Sequence, residues 1–317
     1  MKVSVIGMGA VGTELVGDLV NLSEVSEIIA VDRLREKAEA EIADFSHATA
    51  FTYAKNPALQ AGDYPDTAGS DVVVVTAGAQ VAHGHDRDAL LQVNGPLIRD
   101  IIAKVEQYSP GAIVVMVTNP VDVLTQVALR SSAFPRTRLI SAGTIIDTAR
   151  FLRTLSEHVR IDPKNIFGFV LGDHESTGFI PWSLCNVCGL DIDSFCRLNG
   201  LAPVDKGAIC RRVLEVGLEI FDRKGNTNHG IAASVFRLIR AISANEHSVL
   251  PVGVLLQGEY GVDDVVVSIP CVIGRDGVQK ILNYRFADGE RQAFLRSVDH
   301  VRRLAAVAAG GPARDRA

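Results

Sequence analysis

The 317-residue chain contains no run of 18 or more apolar residues, so no helical membrane span is expected. A basic-then-apolar signal segment is also lacking, because the chain passes from Met1 straight into a strand-like run. Cysteines are few: five, an odd number without disulfide-framework spacing, which suits a reducing cytoplasm. Positive charge is not in excess. Lys and Arg number 32 against 37 Asp and Glu, a net charge of −5, which offers no electrostatic footing on nucleic acid or an anionic membrane. Repeats and low-complexity linkers are missing too. What remains is 47% hydrophobic and 22% charged, an ordinary globular balance. At roughly 100–200 residues per domain the length suits two domains with large cores.

The pattern changes along the chain. In the first half, strand-like runs at Lys2–Ile6, Glu27–Val31, Val72–Val75, Ala112–Val117 and Leu139–Ser141 alternate with helical stretches. The helical stretches end near Leu22 and cover Leu34–Ser46 and Asp86–Tyr108. The unbroken β-branched run Val72–Val75 predicts a strand covered on both faces. Such alternation predicts a parallel sheet with right-handed crossovers. From Ile145 the organisation becomes α+β. A helix runs to His158, followed by strand-like runs at Ile166–Val170 and Phe179–Val187. Helices over Asp205–Asp222 and His229–Asn245 precede a hairpin from Leu250–Gln257 and Val265–Ile269, and a helix covers Glu290–Ala309. The expected division is a dinucleotide-binding domain over 1–143, a substrate domain over 144–309, and a frayed tail over 310–317.

Gly7, Gly9 and Gly12 form G-x-G-x-x-G directly after the first strand and at the start of the first helix. There the first glycine permits a tight turn, the second lets a pyrophosphate approach, and the third lets helix and strand pack closely. Alone the motif is weak, because glycine turns are common. Asp32 strengthens it, lying twenty residues after Gly12 at the end of the second strand. A carboxylate there accepts hydrogen bonds from an adenosine ribose and repels a 2′-phosphate. The expected fold is therefore α/β, a doubly wound Rossmann-type parallel sheet followed by an α+β catalytic domain, and the cofactor is NAD rather than NADP. Arg33 is the one discordant neighbour. Thr76, Ala77 and Gly78 follow the third strand, and Val117, Thr118 and Asn119 the fourth, at carboxyl ends where ligands bind in open sheets. Each segment alone reads equally as a strand-exit turn.

Further polar residues stand where packing does not ask for them. Asp147 and Arg150 are three apart in an otherwise apolar helix, so they share a side. His174 follows a strand-like run in LGDHEST, and Arg87 lies just beyond Thr76–Gly78. Each has a structural alternative: a buried ion pair, a surface histidine, a helix-start arginine. Together with GMGAVG, TAGA at Thr76–Ala79, VTNPVDVL at Val117–Leu124, GTIIDTARF at Gly143–Phe151, PWS at Pro181–Ser183 and LQGEYGVDDVVVSIP at Leu256–Pro270, they resemble the L-lactate/malate dehydrogenase family, from Lys2 to about Val301.

The resemblance implies an NAD-dependent enzyme transferring hydride between nicotinamide and C2 of a 2-oxo or 2-hydroxy acid. It implies that Arg150 grips the substrate carboxylate and that His174 exchanges a proton with the C2 oxygen. Asp147 would orient His174 and favour its charged form, while Arg87, on a closing loop, would polarise the carbonyl. Asn119 would touch substrate and cofactor, and Thr227 and Val81 would line the substrate pocket. Val11 and Lys37 match positions near the pyrophosphate and adenosine. The implied assembly is a homodimer or homotetramer in the cytoplasm. Two departures stand out. Glu175, Ser176 and Thr177 replace the usual Gly-Asp-Ser after the histidine, and Leu152 stands where fructose 1,6-bisphosphate-activated members carry arginine.

Val81 occupies the position held by Arg in malate dehydrogenases of the family and by Gln in lactate dehydrogenases, so an uncharged, apolar substrate side chain is expected. Gly217 is expected to leave room for a bulky one. RDALL at Arg87–Leu91 looks more like malate dehydrogenase, and His83 and His85 are loop histidines able to supply positive charge. Malate dehydrogenase, or reduction of another anionic 2-oxo acid, is the alternative substrate reading. An NAD-requiring glycosidase and a non-catalytic NAD-binding protein are the alternatives of other classes. No metal is expected, and Cys185 and Cys188 (C-x-x-C) read as packing residues.

Overall fold

The computed structural model describes residues 1–52, 54–79 and 87–308, without the side chains of Arg87 and Asp88. Val81, His83, His85, the Arg87 side chain and the tail 310–317 lie outside the described residues.

In the first half the apolar runs become β1 (Lys2–Ile6), β2 (Glu27–Val31), β3 (Ala58–Ala61), β4 (Val72–Val75), β5 (Ile113–Met116) and β6 (Leu139–Ser141). Between them run α1 (Ala10–Leu22), α2 (Arg35–Ala48), α3 (Arg87–Tyr108) and α4 (Val121–Arg130). The six strands pair in parallel in the order β3-β2-β1-β4-β5-β6. Every residue of β4 is fully buried, as its β-branched run predicts. Each such valine contributes about 1.5–3 kcal/mol by leaving water. The chain moves outward from β1 through β2 to β3, then returns to β4 on the other side of β1. That reversal opens a crevice at the carboxyl ends of β1 and β4, where α/β sheets bind ligands.

The second half comprises α5 (Ile145–Val159), β7 (Ile166–Phe167), β8 (Asn186–Val187), β9 (Leu190–Asp191), α6 (Ile192–Leu198), α7 (Lys206–Lys224), α8 (His229–Ser243), β10 (Ser248–Gln257), β11 (Asp263–Gly274), β12 (Gly277–Ile281) and α9 (Asp288–Ala308). β10 joins β6 antiparallel through Gly253 and Ser141, and β11 and β12 extend the sheet to nine strands. A second apolar cluster around Phe151, Leu155, Val170, Cys185 and Cys196 packs α5 against α6, α7 and the separate three-stranded sheet of β7, β8 and β9. Among the described residues no helix is long and apolar enough to cross a membrane.

The expected strand Ile166–Val170 contracts to β7, and the expected strand Phe179–Val187 is interrupted by a 3-10 turn at Trp182–Leu184. Pro181, which has no N–H to donate to a ladder, precedes that turn. Cys185 is buried as a packing residue should be, but Cys188 is exposed at the β8–β9 turn with φ +51°. β3, whose side chains alternate between exposed and half-buried, and the short α6 carry too little apolar signal to be read in advance.

Candidate active site

The β1–α1 turn is shaped by side chains that are absent. Gly7 has φ +104°, and a Cβ there would lie 2.6 Å from Ala77 N. A Cβ on Gly12 would lie 1.9 Å from Gly7 O and 2.9 Å from Thr76 Oγ1, so only glycine lets α1 pack on β1 at this distance. At Gly9 a Cβ would meet nothing within 4 Å. Gly9 is exposed at the N-cap of α1, where backbone N–H groups lack intrahelical partners. Thr76 Oγ1 donates to Gly7 O at 2.7 Å, and Thr118 Oγ1 to Ala77 O at 2.8 Å, locking the β1, β4 and β5 exits together.

Asp32 closes the other side. Its Oδ2 accepts the Met8 N–H at 2.7 Å and its Oδ1 the Leu34 N–H at 2.9 Å. Each oxygen keeps a further lone pair for hydroxyl donors. The residues present therefore fit a dinucleotide: open space at Gly9, free helix N–H groups, and an anchored acceptor one strand away. Val11 is half-buried in the first turn of α1, while Lys37 is exposed in the first turn of α2.

At the same edge, charged groups converge from three segments. α5 is entered from Thr144, whose N–H donates to Ser268 Oγ at 3.1 Å and whose hydroxyl donates to Val170 O at 2.5 Å. Asp147, in the first turn of α5, is 6% exposed. Its Oδ2 lies 2.5 Å from His174 Nδ1, and its Oδ1 accepts from Arg150 Nη1 at 2.8 Å. Burial opposes the charged imidazole, but the Asp147 charge and hydrogen bond outweigh it, so the His174 pKa is raised above the ordinary histidine value. The proton is thus held on a ring whose Nδ1 is already fixed.

Asp122 was not singled out by sequence. It lies in the first turn of α4, 4% exposed, and its Oδ2 accepts the backbone N–H of His174 at 3.0 Å. Its Oδ1 accepts from Ser141 Oγ at 3.0 Å. Burial, partly offset by the His174 hydrogen bond, pushes its pKa up to about 7. The available signal was a lone acid in VDVLTQVA, a stretch buried from Val121 to Ala128. Asn94, also unforeseen, donates to Asn119 O at 3.0 Å and accepts the Ala79 N–H at 2.8 Å, bracing the two strand exits.

His174, Asp147 and Arg150 are therefore together, and Asn119 stands three residues before the Asp122 anchor, exposed at the β5 exit. Thr227 is half-buried in the α7–α8 loop, which is tied to α1 by His229 Nδ1 to Glu14 Oε1 at 2.7 Å. Gly217 departs from expectation. A Cβ there would lie 3.0–3.2 Å from the Arg150 guanidinium, so the missing side chain makes room for that group rather than leaving a vacant pocket. The described part of α3 starts at Arg87, inside the helix expected over Asp86–Tyr108.

A buried acid–imidazole pair with an adjacent guanidinium, beside a dinucleotide-shaped crevice, is equipped to orient a carboxylate and pass a proton next to a nicotinamide. That combination defines a dinucleotide-dependent dehydrogenase. Residues 1–141 match the lactate/malate dehydrogenase NAD-binding domain and residues 144–306 the lactate/malate dehydrogenase alpha/beta C-terminal domain. The chain is 39% identical to L-lactate dehydrogenase 1 of Clostridium acetobutylicum over 293 residues, 92% of this chain and 93% of the relative. It is 38% identical to the L-lactate dehydrogenase of Acetivibrio thermocellus over 298 residues, 93% of each. The crystal structure of a lactate dehydrogenase from a Medee basin deep-sea metagenome library superposes with a TM-score of 0.91 at 31% identity, covering 97% of this chain and 98% of that one. The minor L-lactate dehydrogenase of Enterococcus mundtii, in ligand-bound form, superposes equally well, with a TM-score of 0.91 at 30% identity and 96% and 97% coverage. The chain belongs to the lactate/malate dehydrogenase family. It is an NAD-dependent oxidoreductase acting on the CH–OH group of L-2-hydroxy acids. The glycosidase and non-catalytic readings are set aside by these matches.

Proposed function

We propose that the enzyme interconverts an uncharged 2-oxo acid, pyruvate or one with an apolar side chain, and its L-2-hydroxy acid. The observation that carries the site reading is the shared carboxylate of Asp147, which bonds both His174 and Arg150. When bound, NADH would supply the hydride that C2 receives. The guanidinium of Arg150 holds the substrate carboxylate through N–H groups not engaged by Asp147, fixing its plane. The His174 imidazolium donates its Nε2 proton to the substrate oxygen as charge develops there, and Asp147 keeps Nδ1 protonated throughout. Arg87 polarises the carbonyl, and Asn119 and Thr227 border the substrate. Gly7, Gly9, Val11 and Gly12 take the pyrophosphate, Asp32 and Lys37 the adenosine side, and Thr76–Gly78 with Val117 the remaining cofactor edge.

Substrate choice rests on Val81. The second carboxylate of oxaloacetate would be buried unpaired against valine, whereas an apolar substrate gains about 0.8 kcal/mol per buried CH₂. The names of the lactate dehydrogenase relatives favour the same side of the choice. The test is kcat/KM for pyruvate, oxaloacetate, 2-oxoisocaproate and phenylpyruvate with NADH. An uncharged acid is expected to lead; oxaloacetate in first place would overturn the Val81 argument and bring forward the loop histidines. Five free cysteines suit a reducing cytoplasm, and exposed Leu214, Leu218 and Ile220 on α7 suit a homo-oligomer.

A further inference from the structure

The turn bearing His174 is gripped from behind by one face of α9. Gly172 has φ +94°, and a Cβ there would lie 2.3 Å from Ser297 Oγ, so α9 packs directly on the backbone before Asp173. Ser297 Oγ donates to Thr177 O at 2.5 Å. On the same face, three residues on, His300 Nε2 stands 3.6 Å from Asp173 Oδ2 and 3.8 Å from Glu175 Oε2. Both residues flanking His174 thus direct carboxylates at one imidazole. Asp173 is 2% exposed, and its Oδ1 accepts the Thr177 N–H at 3.0 Å and the Glu175 N–H at 3.3 Å, shaping the turn. Asp173 Oδ2 is buried and lies beyond hydrogen-bond reach of His300 Nε2, so charge is what acts between these two.

A neutral imidazole there would leave the Asp173 and Glu175 carboxylates directed at one ring with no positive charge between them. An imidazolium attracts both and offsets their mutual repulsion. We propose that His300 is a positioning residue: its charged ring clamps the Asp173–Thr177 turn through Asp173 and Glu175 and thereby fixes where His174 presents its proton. This rests on the reading of His174 as proton donor. Glu175, with the position after the catalytic histidine, is what makes the clamp two-sided.

The other groups around His300 pull in both directions, with Arg303 opposing the charged ring and the two carboxylates outweighing it. Glu175 and Asp173 raise its pKa above the ordinary histidine value, against burial and against Arg303 on its own helix. Arg303 Nη2 lies 3.4 Å from His300 Nδ1. Asp173 in turn acts on Asp122 of α4, helping to raise its pKa, and Arg302 of α9 is turned to Asp263 O of β11. Because the folded-state value is raised, the clamp is fully present below the ordinary histidine value and is lost as pH rises through the raised one.

The test compares His300→Gln, His300→Lys and Glu175→Gln with the wild type, using the best substrate of the panel, kcat and KM across pH, and NADH binding by fluorescence. His300→Gln is expected to bind NADH normally and to lose between about tenfold and about a hundredfold in kcat, the scale of a small misplacement of a catalytic group. His300→Lys keeps the charge and is expected to recover most of kcat, with an alkaline limb showing one ionisation fewer. Wild-type kcat in His300→Gln at every pH, or equal losses in the Gln and Lys variants, would overturn the clamp. Should His300→Gln fail to fold, histidine NMR titration of Glu175→Gln decides: a lowered His300 pKa supports the clamp and an unchanged one rejects it. Retained turnover in His174→Ala would instead overturn the underlying site reading, whatever His300 does.

Discussion

One methyl group at Gly12 would fall 1.9 Å from a backbone oxygen, whereas one charge removed at Asp147 would strip two other residues of their partner. The two halves of the crevice are thus built on opposite rules. The nucleotide side consists of backbone, small residues and exits of parallel strands, and it fails when atoms are added. The catalytic side consists of buried charge, and it fails when charge is taken away. An apolar sheet edge can be rigid without side chains because its strands are locked on both faces. Buried ions persist only where each has a partner, so Asp147, Arg150 and His174 depend on one another.

The comparison is broken most sharply at His174. His174→Gln retains a polar side chain but no ionisable proton, and kcat is expected to fall by about 10²–10⁴. NADH affinity is expected to stay at the wild-type value, since nothing on the glycine side moves. A parallel loss of NADH binding, measured by fluorescence titration, would show that the two sides are not separable. Arg150→Lys comes next. Lysine keeps the charge but not the planar, two-pronged grip, and losing one charged hydrogen bond costs about 1.5–3 kcal/mol. That loss is expected in kcat/KM for the 2-oxo acid, again with unchanged NADH affinity.

On the other side, two alanine substitutions three positions apart in one motif should behave differently. Gly12→Ala is expected to destabilise by about 1–3 kcal/mol, because the methyl meets backbone that cannot yield. Gly9→Ala meets nothing within 4 Å and is expected to keep its melting temperature while weakening NADH binding. If Gly9→Ala lost stability and kept affinity, the open space beside it would not be the pyrophosphate site.

The same contrast explains what the sequence disclosed. β1, β2, β4 and β6 were legible to the residue because buried parallel strands are written as unbroken apolar runs, and Asp32 was legible because it ends one of them. His174, Asp147 and Arg150 were legible as family motifs, and the structure brings them together. Three kinds of feature were not. Strand-like runs around Pro181 gave way to a turn, since propensity does not register a missing ladder partner. Gly217 was assigned to open space, although it faces Arg150, because sequence does not say which side chain fills a gap. Asp122 and His300 went unnoticed because their partners are distant in sequence: Asp122 bonds across 52 positions, and His300 reaches the turn from the last helix.

Asp122 offers the mildest test, and it separates charge from shape on the catalytic side. The folded chain holds its pKa near 7, against an ordinary 3.8. Folding therefore binds a proton at this site between those values, so the group's stabilising contribution is present below 3.8 and is lost as pH rises toward 7. Asparagine has no charge to desolvate. Its carbonyl can accept the His174 N–H, and its amide can donate to Ser141 Oγ with the hydroxyl reversed. Asp122→Asn should consequently match the wild type in thermal stability at acid pH and exceed it above neutrality, by about 1–4 kcal/mol for a shift of this size. Melting curves at pH 5 and pH 8 check this: pH 5 already lies inside the window, so a small advantage is expected there and a larger one at pH 8, and an equal difference at both would show that the carboxyl does not titrate between them. Turnover should change little, because the hydrogen bond positioning His174 survives. A steep loss of kcat beside raised stability would mean that the Asp122 charge itself supports the His174 proton, making the catalytic side still more a matter of charge than of shape.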